Sequence, residues 1–445
     1  MPMEISAAKL VGFCILHMIL SSCHLQLHAS VLKLCNAILK ADSLGRRGEQ
    51  LIDAIFTLLA TAPALEQLEM RQCWLTSTFT VTTIAHMSSL RQLVLEDLCQ
   101  PIRLAHLNHI LRGLPLLERL RLSVVGGTPW NDEEGAMSAE LAIPWPAAVH
   151  GCTRLTCIDI NATRNAPPGP YVVNACPDGP LPPSIGLLER LATLSLRGGN
   201  AVEVAELQCL ATLTRLELLD RYAMRVVLPQ QLSGVTGLRE LALSCDRIPE
   251  VVPALRLEAL TLHLLGNAPF DAFGVSSLAA LTSLTRLRLS ECGVWVVPSL
   301  EGLELPALKV LMLDNNQLTS WPNLHAEVAG RLRVLCLSAN HIAACNPPRI
   351  EALRQIETLD LSYTHLDAFP GLPPGFHQAV VSSPLLSNLC VVSREEQGAQ
   401  MQFIGALLRL QADCASMPGR VPLTVHANCE HLPEHCADDR LACGG

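Results

Sequence analysis

The 445-residue chain predicts an α/β solenoid: short parallel strands set side by side, with irregular or short helical connections behind them. Three observations predict it. Leucines recur in one frame at a nearly constant period. Prolines return at one place after several of these frames, in Val297-Pro298, Trp321-Pro322 and Phe369-Pro370. The composition is 49% hydrophobic but only 4% aromatic, so the interior must be filled by Leu, Val, Ile and Ala.

The frame is clearest over residues 308–366. Leu308, Leu311, Leu313 and Asn316 are followed by Leu318. The same spacing returns 24 residues later as Leu332, Leu335, Leu337, Asn340 and Ile342, and 24 later again as Ile356, Leu359, Leu361, Thr364 and Leu366. Successive strand residues point to opposite faces, so the leucines of L-x-L go inward and the residue between them faces out. Inward side chains of neighbouring repeats then stack into one core that no single repeat buries alone. Toward the N-terminus, starts fall at 65, 90, 117, 155, 191, 213, 238, 257 and 284, giving about twelve repeats over 65–370.

This pattern, L-x-x-L-x-L-x-x-N-x-L, resembles that of the leucine-rich-repeat family, and the later prolines resemble its intracellular typical or Ras-group-like repeats. The resemblance implies a curved parallel sheet on the inner, concave face, an irregular or short helical convex side, and helical caps. It also implies that Asn316 and Asn340 bond backbone where the chain leaves each strand. Cys292, Thr364 and Asp246 occupy that position elsewhere.

Before the repeats, residues 1–64 form an apolar N-terminal region and cap. Its run from Leu10 to Leu20 has two readings: a helix covering the end of the solenoid, or a signal-peptide core. Leu51, Ile52, Ile55, Phe56, Leu58 and Leu59 have helical spacing. Two long steps between starts carry inserted loops, 126–148 and 163–183. Residues 371–418 form a C-terminal cap: Ser393 and Glu396 make a capping box that opens a helix at about 394–413. Residues 419–445 are a polar Cys/His tail.

Several functions are excluded or left without support. A formal charge of −9 removes the broad basic field that nucleic-acid binding needs. No apolar run reaches the ~20 residues of a membrane span. Glycine-rich phosphate loops, nucleophile elbows and kinase signatures do not occur. His431-Leu-Pro-Glu-His435 spells H-x-x-E-H, but Pro433 breaks the helix that this metalloprotease motif requires. Cys429, His431, His435 and Cys436 have the ligand types for zinc without its usual spacing, so no metal and no cofactor is expected.

What remains is a non-enzymatic scaffold for an unidentified protein partner, held on the concave face. Family resemblance implies a cytoplasmic protein, with cytoskeletal or ciliary-axonemal roles among those of intracellular repeat proteins. A secreted or membrane-associated recognition ectodomain is the alternative if residues 1–30 are a signal peptide. The outward strand positions run Glu69, Val94, Arg121, Asp159, Ser195, Glu217, Ala242, Thr261, Arg288, Met312, Cys336 and Asp360. With their neighbours they nominate Arg286, Arg288, Glu291, Met312, Asp314, Asn315, Asp360 and Tyr363 as partner-binding residues.

Overall fold

The computed structural model describes residues 3–5, 31–35, 56, 65–71, 75, 78–96, 102, 104–123, 146–161, 183–197, 211–219, 235–245, 252, 255–264, 278–290, 305–342, 347–364, 375–391 and 399–426. They fall in two compact units, Met1–Leu238 and Arg239–Gly445.

In the first unit, strands β1 (Met3–Ile5), β2 (Val31–Cys35), β3 (Gln67–Arg71), β4 (Gln92–Glu96), β5 (Arg119–Ser123), β6 (Cys157–Asn161), β7 (Thr193–Arg197) and β8 (Arg215–Leu219) pair in sequence order, all parallel. One register column reads Leu32, Leu68, Leu93, Leu120, Ile158, Leu194 and Leu216. From Leu68 onward every member is at most 1% exposed. Each such leucine contributes roughly 2 kcal/mol of gross burial.

The second unit repeats the arrangement with β9 (Glu240–Cys245), β10 (Ala259–Leu264), β11 (Arg286–Ser290), β12 (Val310–Met312), β13 (Val334–Cys336), β14 (Thr358–Asp360), β15 (Asn388–Cys390) and β16 (Thr424–His426). Its column is Leu241, Leu260, Leu287, Leu311, Leu335, Leu359, Leu389 and Val425. The segments at 308, 332 and 356 are neighbours, as their equal spacing predicts.

The twelve starts read from sequence each lead into one strand, β3 to β14. The parallel ladder also extends past residues 65 and 370, because β1 and β2 add to one sheet and β15 and β16 to the other. These outlying strands carry the L-x-L alternation only in part. Val31-Leu-Lys-Leu-Cys35 has it, but β16 is Thr424-Val-His426. Phe56, the one described residue of the expected N-terminal helix, is helical and fully buried.

Behind the strands lie short helices. In the first unit these are α1 (Thr78–Ala85) and α2 (Leu104–Arg112), with single 3-10 turns at Ala147–Gly151 and Pro183–Leu187. Helix α2 buries Leu107, Ile110 and Leu111, the i, i+3, i+4 stripe of a helix seated on a core. Gly113 follows it, and a Cβ there would lie 1.8 Å from the Ala85 carbonyl oxygen, so only glycine lets the two backbones approach this closely.

The second unit has α3 (Ala326–Arg331), α4 (Pro347–Ala352), α5 (Phe376–Val381) and α6 (Ala399–Ala415). Helix α6 is the element expected at about 394–413. It buries Leu407, Leu410 and Cys414 and stands between β15 and β16, so it connects two paired strands where the sequence suggested a terminal cap. Residues 393–396, its expected capping box, lie outside the described residues.

Where the chain leaves β12, β13 and β14, one turn geometry repeats at 24-residue intervals. Asn315, Ala339 and Tyr363 all have left-handed φ, at 51°, 52° and 57°. The residue after each is turned into the interior. Asn316 Nδ2 donates to the carbonyls of Leu289 (2.7 Å), Leu313 (3.0 Å) and Asp314 (3.2 Å). Asn340 Nδ2 donates to Leu313 (2.8 Å), Leu337 (2.9 Å) and Ser338 (3.1 Å), and its Oδ1 accepts from Leu318 N at 3.0 Å. One side chain thus ties its own turn to the preceding repeat. Thr364 is shorter and reaches only the Leu361 carbonyl, at 2.7 Å.

Two outcomes follow for stability. Leu335 is 1% exposed, so Leu335→Asp places an unpaired charge in the column and lowers unfolding free energy by at least ~3 kcal/mol, read by chemical denaturation. Asn340→Ala strands several buried backbone groups and costs about 2 kcal/mol, whereas Thr364→Ala costs under half of that.

Candidate functional site

The face of each sheet opposite the leucines is built from the first, third and fifth strand residues, which alternate away from the core. In the first unit its charges form a lattice. Arg121 Nε lies 2.9 Å from Asp159 on the next strand, and its Nη1 lies 3.6 Å from Glu96 on the previous one. Glu217 is held on two sides: Arg197 donates at 2.8 Å and Ser195 Oγ at 2.7 Å from β7, and Arg215 donates from its own strand.

Burial alone raises the pKa of Glu217, but the Arg197 charge and the hydrogen bonds from Arg215 and Ser195 outweigh it and bring the carboxyl down to about 2. The carboxylates sit deep and the guanidiniums lie over them. Side-chain exposure is 8% for Glu217, 10% for Glu96 and 16% for Asp159, against 35% for Arg197, 45% for Arg215 and 50% for Arg121.

The second unit has fewer charges on this face. Arg286 pairs with Glu240 at 2.8 Å across β10, both partly exposed. Arg288 bridges Ser290 Oγ at 2.7 Å and Asp314 Oδ2 at 2.9 Å. Asp314 is 1% exposed, and its other oxygen, Oδ1, has no hydrogen-bond partner. Asp360 is equally buried: its Oδ1 accepts from Ser362 N at 2.9 Å and its Oδ2 from Cys336 Sγ at 3.4 Å.

The residues nominated from sequence therefore divide. Arg286 is exposed, and Arg288, Met312, Asn315 and Tyr363 are half-buried on or beside the open face. Asp314 and Asp360, each 1% exposed, lie beneath that face and support it rather than standing free on it. Cys336, Ser195 and Glu217 share this fate. The reason is geometric: neighbouring strands lie about 4.8 Å apart, so a short side chain is shadowed by longer ones on both flanks. Glu291 lies outside the described residues, as do Cys429, His431, His435 and Cys436.

Sequence reasoning missed the Arg197–Glu217–Arg215 cluster. Its signal was present as charges of opposite sign at the third position of one strand and the fifth of the one before it. Among the described residues, no group of three or more His, Cys, Asp or Glu side chains is arranged to hold a metal ion. Six described cysteines are outside any disulfide: Cys152, Cys157, Cys245, Cys336, Cys390 and Cys414. Burial raises the Cys152 thiol to about 11, which suppresses its thiolate. Among the described residues, no helix is long and apolar enough to cross a membrane.

No family model and no curated protein matches the chain. Among solved structures, it is similar to a leucine-rich-repeat protein of Leptospira interrogans, at 18% identity and TM-score 0.39, covering 89% of this chain and 95% of that one. An internalin from Listeria monocytogenes matches at 15% identity and TM-score 0.40, over 89% and 97% of the two chains. The leucine-rich-repeat ectodomain of the plant membrane receptor kinase GASSHO1/SCHENGEN3 from Arabidopsis thaliana, in complex with Casparian strip integrity factor 2, matches at 17% identity and TM-score 0.30, over 91% and 60%.

The lowered pKa of Glu217 has a pH consequence. Its charged form is favoured in the folded state, so its contribution is complete above the ordinary value of 4.5 and is lost as pH falls toward about 2. Denaturation of wild type and Glu217→Gln at a series of pH values is expected to show a stability difference that is largest near neutrality and shrinks across this window.

Proposed function

We propose that this leucine-rich-repeat solenoid is a non-enzymatic scaffold that binds a protein partner across the open faces of its sheets. The observation that carries the reading is the in-register display of side chains opposite the leucine columns. Eight strands at ~4.8 Å hold such a face rigid over roughly 34 Å in each unit, a span on the scale of a standard protein interface. The ladder fixes these side chains before any partner arrives, which lowers the ordering cost of binding.

In the second unit, Arg286, Arg288, Met312, Asn315 and Tyr363 are the contact residues of this proposal. Asp314 and Asp360 hold the guanidinium and the turn beneath them, and Glu291 remains a candidate by its position in the sequence. Catalysis has little support here: Asp314 and Glu217 are held by Arg288 and Arg197, and the Cys152 thiol is masked by burial. Buried free thiols suit a reducing compartment, and a cytoplasmic setting is part of the proposal.

A photo-crosslinking residue at Met312, compared with one at Leu408 on α6, tests the reading in cells. Leu408 is 58% exposed and lies off the sheet face. A discrete adduct to one protein from position 312 and none from 408 is the expected result. Equal, diffuse labelling from both positions would contradict an open-face scaffold.

A further inference from the structure

We draw no further inference here: the strongest candidate, the exposed apolar patch of Leu385 and Val421 on the turns leading into β15 and β16, where Val421 N donates to the Pro384 carbonyl at 3.3 Å, carries nothing because nothing in the structure shows what covers it.

Discussion

Leucine packed on leucine across neighbouring parallel strands is the contact on which this molecule depends. Within each unit the columns pair residue for residue, Leu68 with Leu93 and Leu120, Leu311 with Leu335 and Leu359. Because strand side chains alternate with period two, fixing that column fixes everything opposite it. A slip of one residue at any strand would turn its leucines to solvent and its arginines inward. The asparagine stack reinforces the register by binding each turn to the one before it, through Asn340 to Leu313 and Asn316 to Leu289. A chain with few aromatic rings can therefore be ordered by repetition alone.

The same constraint produces the electrostatics of the open face. Strands held close together leave short carboxylates no room to reach water, and each buried acid needs a donor from a neighbour. Arginine supplies it while its long stem carries the head upward. Glu217, with Arg197, Arg215 and Ser195 around it, shows the full arrangement, and Arg288 over Asp314 is its simpler counterpart. Deep acids and shallow bases make a face more cationic than its composition suggests.

Much of the fold is legible in the sequence because its determinant is periodic. The starts at 308, 332 and 356 map onto β12, β13 and β14 in register, and the inward role of Asn316 and Asn340 follows from their place in the repeat. The terminal strands were harder to read. Met3–Ile5 and Thr424–His426 are three residues long, and their pairing is decided by a neighbour's edge rather than by their own pattern. The candidate site is legible in outline only. Alternation tells which face Asp314 and Asp360 lie on, but not how deep they sit, since depth depends on the length of the side chains to either side. Arg286 and Met312 keep the accessibility their positions imply; the two aspartates do not.

Arg286 on β11 and Asn388 on β15 stand in one register column, linked through Val310, Val334 and Thr358. A distance measurement between spin labels at these two positions probes the ladder directly, since four strand spacings amount to roughly 19 Å. One narrow distribution near that value, broadened by the label arms, is the result the shared leucine interior requires. A broad distribution, or one centred well beyond about 30 Å, would mean that these segments are not consecutive strands of one sheet.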